Sequence, residues 1–186
     1  MSTASRTMTY ADLDLLPDRE SGERYEMLHG ELIVTPSPIP LHQVLLGLGF
    51  RSFDAFVVRT NAGIVLTAPV DVVLAPGVVV VPDLLVIARH RLDIIGSRAI
   101  EGSPDLVLEI HSPSTRVRDL GEKKALYARF RVPEYWAVDP DARTVTVFAL
   151  RDDRYEVIPS EGGRARSEVL PGFTLDINAL FAAADL

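Results

Sequence analysis

Two apolar segments that each carry one carboxylate residue constrain the fold of this chain most strongly. Residues 78–88 read Val-Val-Val-Val-Pro-Asp-Leu-Leu-Val-Ile-Ala around Asp83, and residues 105–111 read Asp-Leu-Val-Leu-Glu-Ile-His around Glu109. Apolar runs of this length predict buried strands, where an ionised carboxylate rarely lies without a partner. A metal ion is the partner that makes such a pair useful. The sequence therefore points toward metal-dependent chemistry in a buried sheet.

The alternation of side chains along the second strand assigns a direction to Glu109. Val107, Glu109 and His111 are predicted to share one face of the strand. Taken alone, Glu109 also fits a strand-end glutamate that pairs with an arginine. Asp83, which follows Pro82, also fits a strand-start residue that accepts hydrogen bonds from nearby backbone amides. The two carboxylates together favour a functional site over either structural role.

A lysine follows the Glu109 strand on a predicted helix over residues 115–131. Its neighbours three and four positions away are Leu120, Leu126 and Tyr127. This spacing predicts that Lys123 faces the core, whereas Lys124 faces outward. Lys123 can then reach over the sheet toward the carboxylates. The alternative is a lysine whose stem covers the core while its ammonium reaches water.

The same helix carries a local excess of positive charge in an acidic chain. The net charge is −7, which argues against a protein that coats nucleic acid through bulk positive charge. Residues 115–131 nevertheless contain six basic residues against two acidic ones. We identify Arg116, Arg118 and Lys124 as candidate contacts to nucleic acid. The alternative is a solvated helix face without a partner.

Composition excludes several kinds of site. The chain has 186 residues and no cysteine, so disulfides, thiolate catalysis and cysteine-based zinc sites are excluded. No apolar run is long enough to span a membrane, and residues 1–10 lack the apolar core of a signal peptide. We therefore expect a cytoplasmic protein that forms one domain over residues 1–186 and enters no membrane.

Predicted strands outnumber predicted helices. Apolar runs bounded by turn residues predict strands at 24–28, 31–35, 64–67, 70–74, 83–87, 106–111, 134–138, 144–150 and 155–158. Capping and proline signals predict helices at 10–16, 41–58, 115–131 and 176–181, with a helical turn at 89–96. This order predicts an α/β or α+β fold with a mixed central sheet, flanking helices and additional β-hairpins.

Several segments together resemble a known family. These segments are Arg24-Tyr-Glu-Met-Leu-His-Gly-Glu-Leu, Pro82-Asp83, Ile100-Glu-Gly-Ser-Pro-Asp-Leu-Val-Leu-Glu-Ile-His-Ser-Pro-Ser-Thr, Asp119-Leu-Gly-Glu-Lys, Leu126-Tyr and Pro133-Glu-Tyr-Trp-Ala-Val-Asp. They resemble the Uma family of "putative restriction endonucleases", which belongs to the PD-(D/E)XK nuclease superfamily. The resemblance runs from about residue 9 to residue 181. The combination is specific, whereas a single piece such as Pro-Asp is weak.

The resemblance implies a restriction-endonuclease-like fold and Mg²⁺-dependent cleavage of DNA, with Mn²⁺ as a substitute. Asp83 matches the aspartate of the Pro-Asp motif, and Glu109 matches the acidic residue of the second half-motif. The superfamily pattern then expects Glu-x-Lys, whose lysine would stand at the position of His111. Lys123 matches a lysine displaced to the following helix, and the helical spacing selects the same residue.

The resemblance also implies auxiliary residues and a partner. Glu26 and His42 match positions typical of the family, although a hairpin salt bridge and a helix N-terminal contact explain them equally well. His111 is a third auxiliary candidate. DNA is the implied partner, and a homodimer follows only by analogy with the fold. Two other functions stay open: a catalytically silent nucleic-acid-binding or protein-interaction module, and a phosphoesterase acting on a small nucleotide or on RNA.

Overall fold

The computed structural model describes residues 8–13, 15–16 and 24–185. The helices are α1 (Tyr10–Leu13), α2 (Pro40–Thr60), α3 (Arg116–Arg118), α4 (Lys124–Arg129) and α5 (Ile177–Ala184), with a 3₁₀ segment at Arg89–Ile94 and a π-turn at Asp119–Lys123. The strands are β1 (Arg24–Leu28), β2 (Glu31–Thr35), β3 (Gly63–Thr67), β4 (Val72–Ala75), β5 (Val78–Val80), β6 (Leu84–Ala88), β7 (Ile100–Glu101), β8 (Leu106–Ile110), β9 (Glu134–Asp139), β10 (Thr144–Arg151), β11 (Arg154–Ile158), β12 (Arg164–Arg166) and β13 (Thr174–Asp176).

Six strands form a central sheet in the order β11-β10-β9-β8-β6-β3. β8 and β9 are parallel, and the other pairs are antiparallel. A parallel pair needs a crossover, which the helical segment from α3 to α4 provides. Leu84 of β6 pairs with Leu108 of β8. Asp83, directly before β6, therefore lies beside Glu109 of β8, at the same end of the two neighbouring strands.

A second sheet contains five strands in the order β2-β1-β5-β4-β7, and β12 and β13 form a separate hairpin. The strand predicted at 83–87 is confirmed as β6, but the apolar run at residues 78–88 is divided between the two sheets. Val78–Val80 joins the five-stranded sheet, whereas Leu84–Ala88 joins the central sheet. Pro82 lies at the break and has no N–H to donate to a ladder. Asp83 consequently lies at the junction between the two sheets.

The central sheet is buried on both faces. On one face, Leu108 belongs to a core that includes Phe53 of α2 and Leu180 of α5. On the other face, Val107 belongs to a core that includes Tyr127 of α4 and residues of the five-stranded sheet. Burial on both faces explains why the central strands are nearly continuous apolar runs.

Helix α2 is long and apolar enough, by length and composition, to cross a membrane. Its buried residues include Leu45, Phe53 and Val57, and they pack in the core on one face of the central sheet. This is the packing of a core helix in a globular domain.

The remaining elements largely follow the sequence. The hairpin strands 24–28 and 31–35 are confirmed, and the long predicted helices and strands shift by a few residues at their ends. The predicted helix 10–16 ends at Leu13, and its expected stop at Pro17 lies outside the described residues. Strands β5, β7, β12 and β13 were not predicted as separate strands. Each has only two or three residues, so pairing partners elsewhere in the chain decide their conformation.

The helical segment after β8 contains an irregularity that the sequence spacing did not predict. The backbone N–H of Lys124 donates to the carbonyl of Asp119, five residues earlier. This wider turn rotates Leu120 away from the core and leaves it 37% exposed. The same turn brings Asp119 to a buried position. The prediction that Leu120 shares the inward face is therefore wrong. Lys123 does lie inward, because Asp119 and Lys123 align along the helix.

Candidate active site

Asp83 is held at the sheet junction by groups from three elements. Its Oδ1 lies 2.5 Å from Arg24 Nη1 of β1. Its Oδ2 lies 3.1 Å from His42 Nε2 of α2 and accepts a hydrogen bond from the Ile110 N–H at 2.7 Å. Burial alone would raise the pKa of Asp83, but the contacts with His42 and Arg24 outweigh it and lower that pKa. Asp83 is thus a buried, ionised carboxylate.

Lys123 connects the two sheets through two further carboxylates. Its Nζ lies 2.6 Å from Glu109 Oε1 of β8 and 2.8 Å from Glu26 Oε1 of β1. Glu26 Oε1 also accepts a hydrogen bond from the Val81 N–H at 2.9 Å. Each of the three charged side chains is about 3% exposed. The lysine is therefore fixed between the two carboxylates. The alternative, in which its ammonium reaches water, is wrong.

Tyr127, one helical turn after Lys123, also contacts Glu109. Its hydroxyl donates to Glu109 Oε1 at 2.5 Å, and burial together with the Glu109 charge raises the pKa of Tyr127. The hydroxyl therefore stays protonated and remains a donor. Lys123 and Tyr127 together fix the orientation of the Glu109 carboxylate.

A second buried pair lies beside this cluster. His111 Nδ1 lies 3.2 Å from Asp119 Oδ2, and both residues are about 4% exposed. The hydrogen bond from His111 and the charge of Lys123 outweigh burial and lower the pKa of Asp119. His111 Nε2 is buried and has no hydrogen-bond partner among the described residues.

The carboxylates outnumber the cations around Glu109, and this imbalance sets its protonation. Burial raises its pKa, Lys123 opposes that effect, and the negative charges of Asp83, Asp119 and Glu26 add to it, so that the pKa reaches about 8. The cluster therefore lacks positive charge when all its carboxylates are ionised. An added cation would relieve the repulsion.

Lys123 is held in its charged form. Burial alone would lower its pKa, but the neighbouring charges of Glu109, Glu26 and Asp119 more than compensate and raise the pKa above its ordinary value. Such a lysine supplies positive charge and hydrogen-bond donors. It does not accept a proton from water near neutral pH.

All the residues that the sequence selected as catalytic or auxiliary line one cavity. The cavity has a volume of about 190 Å³, and the six residues are Glu26, His42, Asp83, Glu109, His111 and Lys123. Three loops at residues 35–39, 112–115 and 140–141 complete its wall. The topology thus brings together residues that are up to 97 positions apart in the chain.

The predicted nucleic-acid contacts are distributed less evenly. Arg118 lines the cavity and donates from Nη2 to Thr35 Oγ1 at 3.0 Å. Arg116 is half-exposed and lies 2.5 Å from Asp139 Oδ2. Lys124, predicted to face outward, is instead partly buried, with its Nζ 3.6 Å from the centre of the Phe148 ring. Lys124 is not among the residues that line the cavity.

Comparison with known proteins agrees with this architecture. The Uma2 family model, described as "Putative restriction endonuclease", matches residues 10–178. The chain belongs to the Uma2 family. A search of curated proteins finds no significant match for it.

A solved structure supports the fold of this Uma2 member. The chain is similar to the crystal structure of a protein described as a "putative nuclease belonging to DUF820" from Anabaena variabilis, with a TM-score of 0.77 and 20% sequence identity. The match covers 95% of this chain and 99% of the other. The fold is restriction-endonuclease-like, as the sequence predicted.

Enzymes of the restriction-endonuclease-like kind generally use a divalent metal ion, and the donors in this Uma2 member suit such an ion. Glu26, Asp83 and Glu109 offer carboxylate oxygens, which hard divalent cations prefer. Among the described residues, no three acidic or histidine side chains already stand in a metal-binding arrangement. Arg24 and Lys123 occupy the carboxylates instead. The donor chemistry fits, and an ion bound to Asp83 through Oδ1 would compete with the Arg24 guanidinium.

Sequence reasoning missed three residues of this site. Arg24, Asp119 and Tyr127 lie in the segments that resemble the Uma2 family, but none of them was selected as a site residue. For Tyr127 a usable signal existed, because it follows Lys123 by four positions on the same helical face. For Arg24 the chain gave no local signal, since its partner Asp83 is 59 positions away in another sheet.

Proposed function

We propose that this Uma2 member is a divalent-metal-dependent endonuclease that hydrolyses phosphodiester bonds in DNA. The observation that carries the proposal is the contact of 2.6 Å between Lys123 Nζ and Glu109 Oε1 in a cavity that Asp83 also lines. Two carboxylates and a lysine in one buried cavity form the set of groups that metal-assisted phosphodiester hydrolysis needs.

In this proposal Asp83 and Glu109 hold Mg²⁺, for which Mn²⁺ can substitute. When bound, such an ion supplies polarisation of the phosphodiester and acidification of a nearby water molecule. His42 and the Ile110 N–H keep Asp83 in place from the side of α2 and β8. Tyr127 keeps Glu109 in place from the helix, so both ligands are oriented before an ion arrives.

Lys123 acts on the phosphate as a fixed positive charge. Because its pKa is raised, Lys123 is suited to stabilise the negative charge that develops on the phosphoryl oxygens and to orient the attacking water. It is not suited to remove a proton from that water. Glu26 serves as a positioning residue, because it holds the ammonium from the side opposite Glu109.

The proposal is tested with Glu109→Gln, which keeps the shape of the side chain and removes its charge. Mg²⁺ and Mn²⁺ binding is measured by calorimetry and by the shift in melting temperature, and cleavage is followed on labelled DNA. Glu122→Gln is the matched control, since Glu122 is an exposed glutamate beside Lys123 in the chain and does not line the cavity. Glu109→Gln is expected to lose the metal-dependent shift and cleavage, whereas Glu122→Gln keeps both.

A full metal shift in Glu109→Gln would place the ion elsewhere. If the wild-type chain shows neither a shift nor cleavage with either metal, the catalytically silent module becomes the better account of the fold.

A further inference from the structure

The cavity of the proposed nuclease is small, and its charged groups lie deep. Asp83, Glu109 and Lys123 are only 1–2% exposed. The cavity, about 190 Å³ in volume, is therefore a deep site that a phosphate group with a small part of the attached chain can enter, whereas an intact double helix can approach only its rim.

The rim of the cavity is apolar and rich in proline. Pro36, Pro38 and Ile39 line it on one side, and Pro113 and Pro140 line it on the other sides. Ile39 directly precedes α2 and is 60% exposed. These side chains can contact the faces of unpaired bases, whereas the hydroxyl groups of Ser37 and Ser112 beside them carry no positive charge for the phosphates on the outside of a duplex.

Within the part of the chain that the structure describes, few cations of the cavity are free to follow a double helix. Of the arginines and lysines that line the cavity, Arg24 contacts Asp83, and Lys123 contacts Glu26 and Glu109. Arg118 is the lining cation whose described side-chain hydrogen bond goes to a hydroxyl, so its charge remains available for one phosphate. Duplex binding normally relies on several such phosphate contacts.

We infer that the cavity accepts a single strand of DNA, or an unpaired segment of a duplex, in preference to intact double helix. The inference rests on the proposed function and specifies its substrate. A single strand is thin and flexible, so one phosphate can enter the cavity and reach Lys123 while the adjoining bases contact the rim. A phosphate of an intact duplex reaches this depth only if the duplex opens locally, which requires a few kcal/mol per flipped nucleotide. Since the described residues that line the cavity include no Phe, Tyr or Trp, stacking of bases on aromatic rings contributes little and sequence preference is weak.

The test compares one labelled sequence as a single strand, as a blunt duplex and as a duplex with a single-stranded tail, each with Mg²⁺ and with Mn²⁺. The single strand and the tail are expected to be cut at least about tenfold faster than the paired region. Cleavage of the blunt duplex at the rate of the single strand overturns the inference and leaves the nuclease proposal intact. Faster hydrolysis of bis(p-nitrophenyl) phosphate than of the single strand also overturns it, in favour of a small phosphodiester. If nothing is cut in either metal, the proposed function itself fails.

Rim variants add a second readout. Ile39→Asp places a negative charge where the strand is expected to enter, and Val157→Asp is the matched control, with similar exposure of 57% on a residue that does not line the cavity. Ile39→Asp should raise KM for the single strand several-fold with kcat nearly unchanged, and Val157→Asp should change neither. Equal behaviour of the two variants would show that the strand does not cross this rim.

Discussion

Arg24 provides the sharpest test of the metal site, because it contacts the carboxylate that an ion needs. Its Nη1 lies 2.5 Å from Asp83 Oδ1. The variant Arg24→Met keeps an apolar stem and removes the charge. If a divalent ion binds Asp83, the variant should be less stable than the wild type without metal and should bind metal more tightly.

The expected magnitudes follow from the burial of the pair. Removing one partner of a buried ion pair costs about 3–5 kcal/mol of folding free energy. The lower end applies to Arg24, because its side chain is 16% exposed and because His42 and the Ile110 N–H still hold Asp83. A loss of about 3 kcal/mol lowers the melting temperature of a chain of this size by about 6–12 °C. If the ion no longer has to displace the guanidinium, metal affinity rises by up to about 100-fold.

Thermal unfolding and calorimetry with Mg²⁺ and Mn²⁺ measure both effects. Arg91→Met is the matched control, because Arg91 Nη1 lies 2.9 Å from Asp105 Oδ1 and neither residue lines the cavity. This control should lose stability without any change in metal affinity. If Arg24→Met binds metal no more tightly than the wild type, Arg24 does not compete with an ion for Asp83, and the reasoning is refuted.

Three further outcomes are expected. Because the pKa of Glu109 is raised to about 8, a metal ion must displace the proton of Glu109 below that pH. Metal affinity measured by calorimetry should therefore rise about tenfold per pH unit up to pH 8 and then level off. A flat profile would contradict the role of Glu109 as a metal ligand. Tyr127→Phe removes the hydrogen bond to Glu109 and should lower kcat at least about tenfold, whereas Tyr155→Phe, which removes a hydrogen bond to the Val132 carbonyl, should not. Replacing Arg116 and Arg118 with alanine should reduce the salt dependence of single-stranded DNA affinity by about 1.4 units of log–log slope if both contact phosphates; an unchanged slope would identify a solvated helix face.

The part of the site that sequence reasoning placed depends on local periodicity. Alternation along β8 put Glu109 on a defined face, and helical spacing turned Lys123 inward. Both inferences need only the geometry of one element, which the local sequence determines. The same reasoning failed for Leu120, because the π-turn at Asp119–Lys123 changes the spacing, and a helical pattern alone does not indicate such a turn.

The rest of the site depends on how distant elements meet. The run at residues 78–88 is apolar throughout, so its pattern does not reveal that two different sheets share it. The contact of Glu26 with Lys123 and that of Arg24 with Asp83 arise because β1 lies in one sheet while β6 and β8 lie in the other. These contacts follow from the way the two sheets pack together. No single segment determines that packing, so the local sequence does not predict the contacts.

The most direct test of the central claim is cleavage of labelled single-stranded DNA with Mg²⁺ by Lys123→Met and by Lys124→Met. The two lysines are adjacent in the chain, but Lys123 contacts Glu109 at 2.6 Å, whereas Lys124 lies over Phe148 outside the cavity. The account predicts that Lys123→Met lowers kcat by at least about 100-fold and that Lys124→Met cuts at the wild-type rate. If the folded Lys123→Met variant cleaves as fast as Lys124→Met, the cluster of Asp83, Glu109 and Lys123 is not the active site.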